Sequence, residues 1–116
     1  LAKADAARHL DQLISIAQDD TQRPRANAIK ALMELRTRDA LPALTSMLHD
    51  ERAEHRVSAL WLIDELGLLQ LARQVAEMSI SDGDDRVKQR AGHVVQHLIE
   101  ELDRQVAERD HDTEAA

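Results

Sequence analysis

The sequence has no cysteine, tyrosine or phenylalanine, only one tryptophan, and just three glycines and two prolines. Each shortage removes a class of function. Without cysteine there is no disulfide, no thiolate catalysis and no cysteine-ligated zinc or iron–sulfur centre. A single aromatic cannot build the stacking platforms on which single-stranded nucleic acids lie. So few glycines leave no phosphate-cradling loop. No apolar run approaches the roughly 18 residues of a membrane span, and the start at Leu1 lacks the basic and apolar segments of a signal peptide. A start without methionine leads us to expect a piece of a longer protein, soluble and cytoplasmic.

What is present points to helices. Ala, Leu, Glu, Gln and Arg dominate, and β-branched residues never alternate over a strand length, so the class is all-α. At 116 residues one domain with a continuous core is expected. The net charge of -7 makes nucleic acid an unexpected partner, because phosphate backbones are met by clustered positive charge.

A short phrase recurs: Pro24-Arg25-Ala26-Asn27-Ala28, His55-Arg56-Val57-Ser58-Ala59 and Val87-Lys88-Gln89-Arg90-Ala91, at a spacing of 31 and then 32 residues. Each copy opens an apolar run at helical spacing, which is the signature of a repeat architecture. The pattern predicts helices over 2–17, 23–36, 40–49, 53–66, 69–78 and 85–108. Asp39 is expected to cap the third, Gly67 to end the fourth, and 79–84 to form a loop. The polar residues 109–116 read as a disordered acidic tail after a single domain of 1–108.

Superposed at this period, Ala28, Ala59 and Ala91 share one core layer. The next layers are Ala31, Leu62 and Val94; Leu32, Ile63 and Val95; and Leu35, Leu66 and Leu98. In the alternate helices Leu10, Leu41 and Ala72 align, then Leu13, Leu44 and Val75. The first helix, with Ala6 opening its stripe, is half a repeat. Two full repeats and a long C-terminal capping helix follow, and the expected architecture is a right-handed α-solenoid of about six helices.

The phrase, the Leu-x-x-Leu that follows it and a second helix closing on Leu48-His49-Asp50 resemble the HEAT repeat family, in particular its short bacterial type and the repeats of bilin lyases. Arg56 to Gly67 is the most typical stretch, and the resemblance covers about residues 7–102. It implies an inter-repeat ladder pairing Asp19 with Arg25, Asp50 with Arg56 and Asp82 with Lys88. It also implies a concave partner-binding face, here Asp11, Gln12, Ser15, Ser46, Arg73, Gln74 and Glu77.

Trp61 is the other candidate contact. Its repeat equivalents Lys30 and His93 look outward, so it is an anchor for a partner or a ring lying over neighbouring aliphatic stems. His93 and His97 stand one turn apart but read as a solvated flank, and no metal or cofactor is expected. Arg23, Arg25, Lys30, Arg36 and Arg38 form a basic strip that supports the alternative of a nucleic-acid-binding repeat. A third reading is an accessory domain of a lyase or a ligand chaperone. Asp64 and Glu65 point different ways on one helix, and no Ser-His-Asp spacing is legible, so no catalytic residue is expected. The leading expectation is a non-enzymatic scaffold that binds another protein or a domain of its parent chain. The long final helix is a candidate oligomer contact.

Overall fold

The computed structural model describes the backbone of residues 2–115 and the side chains of 6–110. The described residues are all-helical, without a strand. Six α-helices follow in order: α1 Ala2–Ile16, α2 Gln22–Glu34, α3 Ala40–Leu48, α4 Ala53–Leu66, α5 Ala72–Ser81 and α6 Asp85–Ala115. A 3-10 turn, Leu69–Leu71, precedes α5. No helix among the described residues is long and apolar enough to cross a membrane. By contact density the chain forms two compact units, Leu1–Leu62 and Ile63–Ala116.

In the first unit α1 packs on α2 and α2 on α3. The core is Ala28, Ile29, Leu32, Leu44, Met47, Leu48, Ala59, Leu60 and Leu62. Both prolines stand in the first turns of α2 and α3, where a missing N–H costs nothing. Thr21 precedes α2 without a side-chain cap, and Asp19 instead accepts the Thr21 N–H at 2.7 Å to tighten the turn. In the second unit α5 packs along α6 around Ile63, Leu71, Val75, Val87, Ala91, Val94 and Leu98. Asp84 starts α6 by accepting the N–H groups of Arg86 and Val87 at 2.9 and 3.3 Å.

Several expectations need correction. The second helix stops at Glu34, and Arg36 then adopts a left-handed φ of 56°, which swings Leu35 into solvent at 57 % exposure. Asp39 makes no capping hydrogen bond to α3, and Leu41 is exposed because α3 buries Ala40, Leu44, Met47 and Leu48, a stripe one residue out of register with it. Ala6 is exposed as well. Helix α5 runs three residues further than expected, to Ser81, where the Ser79 and Ser81 hydroxyls donate to carbonyls of their own helix. The segment expected to be a structureless tail is helical to Ala115, as the last part of α6.

Candidate functional site

Arg25 is buried in the first unit and locked to three partners. Its Nε donates to the Ala17 carbonyl at 3.3 Å, and its Nη1 meets the Asp50 carboxylate at 2.7 Å and the His55 Nδ1 at 3.2 Å. Because Arg25 can only donate, His55 accepts at Nδ1 and carries its proton at Nε2. Asp50 is held from the other side by Arg52, whose Nε and Nη2 donate at 2.9 and 3.0 Å and whose backbone N–H adds a third bond at 2.8 Å. These bonds, those of Arg52 foremost, outweigh burial and keep the Asp50 carboxyl well below the usual carboxylate range; Asp50 in turn raises Arg52. Arg52 also donates to the Asp20 carbonyl at 2.9 Å, which joins the turn before α2 to the turn before α4.

The ladder therefore runs differently from the implied pairing. Arg25 reaches forward to Asp50 and not back to Asp19, which accepts the Thr21 N–H. Arg56 Nη1 donates to the Asp50 and Glu51 backbone carbonyls at 2.9 Å each, while the Asp50 carboxylate is taken by Arg25 and Arg52. Asp82 accepts the Asp84 N–H at 2.9 Å. Arg52 and His55 escaped the sequence reading because the period hides them. Their equivalents one repeat earlier are Thr21 and Pro24, so no repeated residue type marks either position.

Asp11, Gln12 and Ser15 on α1 and Ser46 on α3 are all exposed. Between these helices lies a groove of about 270 Å³, lined by Ile14, Ala17, Gln18, Pro42, Ala43 and Ser46, with Arg25, Leu32 and Asp39 completing its wall. Of the expected contact residues Ser46 borders it, while Asp11, Gln12 and Ser15 do not. In the second unit Arg73 and Glu77 are exposed on α5, and Gln74 is half-buried with its side-chain carbonyl lacking a protein donor.

Trp61 is 48 % exposed, as its register implied, and the Lys30 ammonium stands 5.9 Å from the ring centroid. The basic strip is broken by these contacts: Arg25 is consumed inside the unit and Lys30 lies over an aromatic, which leaves Arg23, Arg36 and Arg38 exposed. His97 does not pair with His93; its Nδ1 lies 3.0 and 3.1 Å from the two Asp64 oxygens. No group of three or more histidine or acidic side chains among the described residues is placed to hold a metal ion.

A family model described as HEAT repeats matches residues 10–96. No curated protein and no solved structure matches the chain.

Proposed function

The chain belongs to the HEAT repeat family, whose repeats generally mediate protein–protein interaction or scaffolding, and on that premise we propose that it is a non-enzymatic scaffold module. Its partner is another protein or another domain of its parent chain, met on the face built by α1 and α3. In this role the module is cytoplasmic. Arg73, Gln74 and Glu77 give α5 a second set of contacts, and Trp61 supplies an aromatic anchor on α4.

One observation carries the reading: the groove between α1 and α3, whose apolar wall of Ile14, Ala17, Pro42 and Ala43 is rimmed by Gln18, Asp39 and Ser46. An apolar floor with a polar rim is the anatomy of a protein contact, and a phosphate chain calls for a basic surface. The five-base strip keeps only Arg23, Arg36 and Arg38 exposed, since Arg25 and Lys30 are engaged within the unit.

The test is affinity capture from lysate of the source cell, comparing the unaltered chain with a Ser46→Arg/Gln12→Lys variant at two salt concentrations. A discrete protein retained at moderate salt and lost with the variant supports the proposal. Nucleic acid released by salt equally from both baits overturns it.

A further inference from the structure

Helix α6 outlasts the core that it packs. Val87, Ala91, Val94 and Leu98 are buried, yet the helix continues to Ala115. Beyond Leu98 its apolar residues do not stop. Ile99, Leu102 and Val106 step by three and four along one face, each 47–48 % exposed, and Val95 begins the same row half-buried. A helix gains little stability in water from its own backbone bonds; most comes from covering an apolar face. This row is such a face, continuous with the core of its own unit.

The charge beside the row says what covers it. Asp103 and Asp110, seven residues apart, hold the same edge position next to the apolar row. From Ile99 to Asp110 there are five acids and two bases, and one base, Arg104, is already neutralised by an ion pair with Glu101. A second copy is a poor occupant. It would bring a chain of net charge -7 against itself.

We propose that the distal half of α6 docks a basic amphipathic helix of a partner protein. The apolar ridge of that helix covers Ile99, Leu102 and Val106, and its lysines or arginines face Asp103 and Asp110. This is recognition of one helix face by another, with charge setting orientation and association rate. It uses a surface separate from the groove between α1 and α3 and does not depend on that groove having a partner.

Three labelled synthetic peptides of equal length test the proposal by fluorescence anisotropy with the whole chain. One carries leucines at helical spacing with lysines elsewhere, the second has the same composition scrambled, and the third replaces lysine by glutamate. The patterned lysine peptide is expected to bind at least about tenfold more tightly than either control. Leu102→Glu/Val106→Glu should abolish that advantage, and Asp103→Lys/Asp110→Lys should weaken binding about tenfold while leaving the circular dichroism unchanged. All four positions are exposed, so the variants keep the core. Equal binding of patterned and scrambled peptides, or binding that survives the apolar variant, overturns the proposal. A dimer of the free chain in sedimentation equilibrium that Leu102→Glu dissolves also overturns it, in favour of a second copy.

Discussion

The two units are written in the same repeat but hold themselves together differently. The first buries a cation and an imidazole, Arg25 and His55, around Asp50, whereas the buried residues described in the second are all apolar. The reason lies in the direction of the ladder. Arg25 takes the aspartate that stands 25 residues ahead, at the end of its own repeat. The residue 25 ahead of Lys88 is Thr113, inside α6, so the aspartate does not recur at that spacing. A fork-shaped guanidinium is required where a rung forms, and a lysine suffices where none does.

The largest effects should break that contrast. Arg25→Ala removes one of the two guanidinium partners of the half-buried Asp50 carboxylate together with the donor to His55, and should cost about 1–3 kcal/mol in urea unfolding. Lys88→Ala should change stability by no more than about 0.5 kcal/mol. Equal costs would show that the two positions are the same kind of rung after all.

Acid should act through the same pair. The Asp50 carboxyl is held below its ordinary value of 3.8 in the folded chain, so its contribution is complete above that value. It is lost as pH falls further, because the unfolded chain then binds a proton that the folded one refuses. The stability difference between the unaltered chain and Asp50→Asn should therefore hold steady above about pH 5 and shrink toward pH 3. A difference that grows on acidification would contradict the assignment of Asp50 as the charged centre of the first unit.

A smaller contrast lies at the ends of α2 and α4. Both close with the same bonds one period apart: Arg36 N–H to Met33 and Thr37 N–H to Leu32 in one, Gly67 N–H to Asp64 and Leu68 N–H to Ile63 in the other. The left-handed residue is Arg36 at φ 56° in the first and Gly67 at φ 62° in the second. Only glycine takes that backbone without a steric cost. Arg36→Gly should stabilise by about 0.5–1 kcal/mol, and Gly67→Ala should destabilise by about 1 kcal/mol, although space beside Gly67 is open. Thermal midpoints moving in opposite directions would check both.

Much of the fold was legible because a repeated core position repeats its residue type. Ala28, Ala59 and Ala91 are each buried, as are Leu44 and Val75, and Gly67 ends α4 where expected. What escaped was whatever the period does not copy. The end of α2 is a glycine-type stop written with arginine, so it carried no signal, and Leu35 was placed in the core in consequence. Arg52 and His55 have no equivalents in the preceding repeat and pair across sequence separations that only folding closes. Residues 109–116 read as a tail because they carry no apolar row of their own, yet α6 continues as far as Ala115.

Trp61 gives the smallest effect and the sharpest discrimination between a structural and a binding residue. A cation over a half-exposed ring contributes about 0.5–1 kcal/mol. A double-mutant cycle of Trp61→Ala with Lys30→Met should return a coupling of that size in unfolding free energy. The ring is 48 % exposed, so about half of its surface is not used by the fold. If Trp61 anchors a partner, Trp61→Ala should reduce capture of that partner far more than Lys30→Met does, since the lysine orients the ring and the ring makes the contact. Equal losses from both variants would instead make the pair a brace between α2 and α4 and would leave the α1–α3 groove as the binding surface of the first unit.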